Sequence, residues 1–175
     1  MNDPIPHLPW PTPDPRARHW ASTYADMHTI VEDLVIPGGA PPAAVSVMTT
    51  ARELIRHSYY RHEFTNVAVA VSIISLEAAL VDRYGKKALV RLIDEAAAEG
   101  LIDEEQRDLL HTGREIRNRF AHGKTTGAAL TPPMAVGMVQ TSLRILMVLS
   151  DPPAPAVEHT PPGPAAAALG VVDSP

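Results

Sequence analysis

Between residues 16 and 150 the apolar positions follow helical spacing, and Pro and Gly punctuate them into six segments. The first helix is expected from about Arg16 to Val35, ending at Pro37-Gly38-Gly39. The second opens at Pro41-Pro42, where Pro is tolerated in a first turn, and runs to about Tyr59. The third spans about Glu63 to Tyr84 with Gly85 as its cap, and the fourth Lys86 to Glu99 with Gly100 as its cap. The fifth begins at Asp103, which with Gln106 makes a capping-box pattern, and runs to about Ala121 before Gly123. The sixth begins after Thr131-Pro132-Pro133 and ends near Ser150. The pattern predicts an all-α fold, an antiparallel helical bundle of about five to six helices, occupying residues 16–150. Residues 1–15 and 151–175 are crowded with Pro, which lacks a backbone donor and breaks helical periodicity, so both are expected to be disordered tails. Trp10 and Trp20 are the large anchors available near the N-terminus.

Two of these helices are unusual in having little polar surface. The third carries Val67, Val69, Ala70, Val71, Ile73, Ile74, Leu76, Ala78, Ala79 and Leu80, and is apolar almost all round. Such a helix is central in its bundle or shares a second face with another subunit. The sixth is nearly as apolar, and a chain of 175 residues has difficulty covering both, which predicts a homodimer with a helical interface. Met134 to Leu149 contains Gln140 and Arg144 and is short for a membrane span, so no membrane partner is expected.

On the fifth helix, at about 100° per residue, Leu109, Gly113, Ile116 and Phe120 form one stripe and are expected to face the core. Arg117, Ala121, Arg114, Asn118 and His122 then occupy a sector turned away from it, with Asn118 and His122 one above the other. Glu77, on the apolar third helix, would need a partner if buried, and Arg114 or Arg117 is the candidate; solvent at a bundle edge is the alternative.

Composition narrows the chemistry. Aromatic residues are few and Ala abundant, which favours close-packed helices, and the absence of Cys removes disulfides and thiolate chemistry. The opening Met1-Asn2-Asp3-Pro4-Ile5-Pro6 has neither the basic nor the apolar region of a signal peptide, so a soluble cytoplasmic protein is expected. The net charge of −5 argues against a general nucleic-acid coat protein. Its distribution is uneven: Arg107 to Lys124 holds five basic and two acidic residues, net +3, leaving −8 for the remainder. That segment is either a solvated helix face or a local phosphate site.

Within it, Arg117-Asn118-Arg119-Phe120-Ala121-His122-Gly123 concentrates a permanent cation, an amide and an imidazole. Arg presents a planar fork of donors that fits phosphate oxygens, and His exchanges a proton near neutral pH. Asn orients the His or bonds a 2′-hydroxyl. These groups suit RNA cleavage without a metal or cofactor. The 2′-hydroxyl attacks the adjacent phosphate, His122 manages the proton, and Arg117 stabilises the charge developing on phosphorus. Arg114, Arg119 and Lys124 are the candidate substrate-binding cations around this set. In-line displacement wants both an acid and a base, and a symmetry mate would supply the second. The competing reading is that Arg and His near a helix end serve its last carbonyls and its dipole. His57 and His62, with Glu63, do not match the spacing of a helical zinc site and are expected at the surface around Tyr59-Tyr60; no metal site is expected.

The same residues resemble the HEPN superfamily of small helical domains. Its motif is an Arg, usually a polar residue, about three more residues and a His near the end of a late helix; here Arg117, Asn118, Arg119-Phe120-Ala121 and His122. Ala68 to Leu80, with Ser75-Leu76-Glu77-Ala78-Ala79-Leu80, is similar to the long early helix of these domains. Glu99-Gly100-Leu101-Ile102-Asp103, Leu109-Leu110 and Arg114-Glu115-Ile116-Arg117-Asn118 are similar to the mannitol-repressor-like and related uncharacterised branches. The resemblance covers roughly Ser46 to Ser150. It implies a dimer in which Arg117 and His122 of both subunits form one composite ribonuclease site, supported by Asn118. It also implies a role as a toxin or in phage defence, with an antitoxin or regulatory protein as partner. In one toxin branch a Tyr two residues after the His is modified by the antitoxin; Lys124 stands there in this chain, so that control is not expected. The mannitol-repressor-like branch is regulatory, which keeps open a non-catalytic module that binds a partner protein or nucleic acid.

Overall fold

The computed structural model describes residues 11–36, 40, 42–123 and 130–150. The expected tails at 1–10 and 151–175, Trp10, the Pro37-Gly38-Gly39 stop, Pro41 and Lys124 lie outside the described residues. Among the described residues the fold is all-helical, a bundle of six helices. They are α1 (Met27–Val31), α2 (Pro42–His57), α3 (Phe64–Tyr84), α4 (Leu89–Ala98), α5 (Glu104–Ala121) and α6 (Pro132–Ser150). The ends of α3 and α5 follow local chemistry. Gly85 stops α3 at φ +79°, a backbone region that side chains with a Cβ resist. Asp103 caps α5 by accepting from the Gln106 amide at 2.8 Å, while Gln106 Oε1 accepts from the Asp103 amide at 3.1 Å.

The expected first helix from Arg16 to Val35 does not form as one piece. A short 3-10 turn at Ala17–His19 precedes α1, which is only five residues long. Asp26 separates them by accepting the Ser22 and Thr23 amides at 3.0 and 2.8 Å, a local bond that competes with a continuous helix.

α3 is the centre of the bundle and packs against α2, α4, α5 and α6. Met48 and Ile55 of α2, Val69, Ile73, Leu76 and Leu80 of α3, Leu92 and Ile93 of α4, Leu110 of α5 and Val139 of α6 form its core. The two hydroxyls buried between α3 and α6 are satisfied locally: Ser72 Oγ donates to Val69 O at 2.9 Å and lies 3.3 Å from Ser142 Oγ. By length and composition α3 and α6 are each long and apolar enough to cross a membrane; in the bundle they pack on one another. α3 also keeps a partly uncovered apolar stripe. Val67, Val71, Ile74, Ala78 and Val81 recur at intervals of four, three, four and three, with Ile74 54% exposed, Ala78 exposed and the three valines half-buried.

The segment before α1 is clasped onto the corner between α2 and α3. Asp14, placed by sequence in the N-terminal tail, donates its amide to Tyr59 O at 2.8 Å. Its carboxylate accepts from Arg16 Nε at 2.8 Å and from the His62 amide at 3.2 Å. Arg16 also bridges to Glu63 at 2.7 Å. Ala17, Ala21, Met27 and Tyr59 bury a second small apolar cluster beneath this segment. His62, expected at the surface, is instead 5% exposed, because the clasp closes over the turn that carries it. His57 is exposed, with Nδ1 2.8 Å from Glu53 O.

The clasp makes stability depend on pH. Arg16, by hydrogen bonding, holds the carboxyls of Asp14 and Glu63 below the usual carboxylate range. Burial, and then the Arg16 cation, hold the His62 imidazole below its ordinary 6.5. All three bind protons more readily when unfolded, so stability is full at neutral pH and falls on acidification. The loss begins below about pH 6.5 through His62 and continues below about pH 4 through the carboxylates. Urea midpoints measured from about pH 7 to pH 3 should decline in these two stages. His62→Gln should remove the upper stage and keep the lower, and a midpoint unchanged between pH 7 and 5 in the wild type would contradict the assignment.

Candidate functional site

The motif helix is placed by a close approach. At Gly113, α5 comes so near α3 that an added Cβ would lie 2.8 Å from Ile73 Cδ1, with Met138 Cε of α6 at 3.5 Å. One turn further along both helices, Arg117 meets Glu77. Arg117 Nη2 donates to the Glu77 carboxylate, and Arg117 Nη1 donates to Asn118 Oδ1 at 3.0 Å. The side chains of Arg117 and Glu77 are 28% and 26% exposed, so the pair sits at a bundle edge, partly screened from water. Of the two partners proposed for Glu77, Arg117 is the one used. Arg114 points elsewhere, its nearest carboxylate being Glu115 at 3.9 Å.

This arrangement corrects the expected core face of α5. Gly113 is buried, Leu109 and Ile116 are half-buried, and Phe120 is 54% exposed. Leu110, 2% exposed, takes the inner position instead. The helix is therefore turned by about 60° from the sequence expectation, judged at about 100° per residue. The reason is that α5 packs against α4 as well as against α3 and α6, so its buried sector is drawn toward α4 and away from the apolar stripe. Arg117 consequently faces α3 instead of pointing away from the core. The shared outward face predicted for Arg117, Asn118 and His122 does not form as expected.

His122 is the residue that ends α5, with φ −95° and ψ 13°, and its amide donates to Asn118 O at 3.1 Å. It is exposed, and its side chain has no hydrogen bond among the described residues. Arg119 is likewise exposed. The structure thus brings Arg117, Asn118 and Glu77 into contact, leaves His122 at the open end of the same helix, and does not describe Lys124.

A second polar group was not foreseen. Arg107 Nε donates to Asp94 Oδ1 of α4 at 2.9 Å, and His111 Nε2 lies 3.3 Å from the same oxygen. Arg107, and to a smaller extent His111, hold the Asp94 carboxyl below its usual range. The spacing of Arg107, His111, Arg114 and Asn118 marks one face of α5 in the sequence, but nothing in the sequence names Asp94 as its partner. Among the described residues no three His, Asp or Glu side chains come together as a metal site requires.

Comparison of the chain with protein-family models, with curated proteins and with solved structures finds no match.

Two measurements test that geometry. A double-mutant cycle on Glu77→Ala and Arg117→Ala should give a coupling of about 1 kcal/mol, as expected for a partly buried ion pair; additivity would mean that the pair is not formed. Gly113→Val should lower stability by about 1–3 kcal/mol in urea, because the added methyls enter the space held by Ile73 and Met138. A neutral Gly113→Val would show that α3 and α5 can separate freely there.

Proposed function

We propose that this chain is a homodimeric, metal-independent endoribonuclease of the HEPN type, with Arg117 and His122 as its catalytic pair and RNA as its substrate. The observation that carries this reading is the position of the Glu77–Arg117–Asn118 group beside the partly uncovered α3 stripe, where Ile74 and Ala78 are exposed. Glu77 follows Ile74 by three residues, so a second copy seated on Val67, Val71, Ile74, Ala78 and Val81 brings two motif helices toward one groove. In that groove Arg117 is held in orientation by Glu77 and Asn118, and stabilises charge on the phosphate. His122, exposed at the helix end, transfers the proton, and the two subunits together provide an acid and a base.

A second reading rests on the same contacts. Arg117 already has a carboxylate and an amide as partners within one chain, as expected of a structural cation. On that reading the face is a regulatory module that binds a partner protein or nucleic acid without cleaving it.

Cleavage of RNA in EDTA separates the two. The wild type should cut, His122→Ala should lose about two to four orders of magnitude of rate, and Ile74→Arg should sediment as a folded, inactive monomer. Equal cutting by wild type and His122→Ala, or none by either, removes the nuclease. A wild type that is monomeric at micromolar concentration removes the composite site.

A further inference from the structure

Arg107, His111, Arg114 and Asn118 line one face of α5 at intervals of four, three and four residues. Asp94 engages the first two, and Glu115 lies 3.9 Å from Arg114. No other carboxylate is within ion-pair distance of the row among the described residues. Two nitrogens on this face are buried and have no hydrogen-bond partner there: His111 Nδ1 and Arg114 Nε. A buried polar atom without a partner is costly, and here two occur within one turn of the same helix. Arg114 Nε is always a donor. A His ring that carries both protons donates from Nδ1 as well as from Nε2. The side chains are 21% and 25% exposed while these two nitrogens are buried, so binding requires both side chains to turn.

We infer that His111 and Arg114 form a subsite for a backbone phosphate of RNA, next to the phosphate engaged at Arg117. A phosphodiester has acceptor oxygens enough for both nitrogens, and Asn118 continues the row toward the motif. The assignment of RNA rests on the function proposed above; the anion subsite itself rests on the two unpartnered nitrogens.

The test is binding of a fluorescent 2′-O-methyl RNA oligomer, which lacks the attacking hydroxyl, to the full chain by anisotropy over a salt series. Arg114→Gln should weaken binding about tenfold and reduce the salt dependence by about one phosphate contact. Arg114→Lys keeps the charge but loses the Nε donor, and should recover only part of that loss. Arg61→Gln, which removes an exposed cation from the turn before α3, should stay within about twofold of wild type. If Arg114→Gln fails to fold, Arg114→Lys against wild type gives the comparison. The subsite is overturned if the wild type does not bind the oligomer, if Arg114→Gln matches Arg61→Gln, or if Arg114→Lys binds as tightly as wild type. A wild type that binds through Arg114 yet cuts no RNA retains the subsite and removes the nuclease. Cutting that depends on His122 with no effect at Arg114 does the reverse.

Discussion

The distance between α3 and α5 at Gly113 controls the orientation of everything on the motif helix. A side chain there would meet Ile73 at 2.8 Å, so the two backbones approach only because Gly113 has none. That approach turns α5, seats Leu110 inside, and carries Arg117 to Glu77 one turn later. Gly costs helix stability relative to Ala, so its presence mid-helix is accounted for by what it lets the neighbours do. The electrostatics of the motif are thus set by packing: a half-buried cation requires an acceptor, and the long apolar helix offers a carboxylate at that level.

Much of the fold was legible in the sequence. Helices α2 to α6 lie close to where periodicity, Pro, Gly and the Asp103–Gln106 pattern put them, since those signals act within a few residues. The segment before α2 was not legible. Its breakup depends on Asp26 bonding the Ser22 and Thr23 amides, and its docking on Asp14 reaching Tyr59 and His62 across more than forty residues. His62 looked like a surface residue because no local pattern reveals a clasp formed by a distant strand of chain.

The site was legible in composition and only partly in geometry. A partner for Glu77 was recognisable as a need of a charge on an apolar helix, but the sequence left Arg114, Arg117 and solvent open, and the packing selects Arg117. Phe120 was misplaced because a helical wheel assumes one core direction, whereas α5 packs against α3, α4 and α6. The Asp94–His111–Arg107 group was missed for a related reason: its members lie on two helices, and only one of those helices shows the spacing.

The capping box has a mechanical consequence for the other end of its helix. Asp103 and Gln106 fasten the first turn of α5, and Glu77 fastens it again near Arg117, whereas the last turn ends at an exposed His122. Helix ends of that kind fray on fast timescales while anchored turns stay fixed. Arg117 and His122 are five residues apart, yet one side chain is hydrogen-bonded across to α3 and the other is exposed at the helix end. A partner that orders both must offset the entropy lost in arresting the exposed His122 side chain, whereas the Arg117 side chain is already held by Glu77 and Asn118.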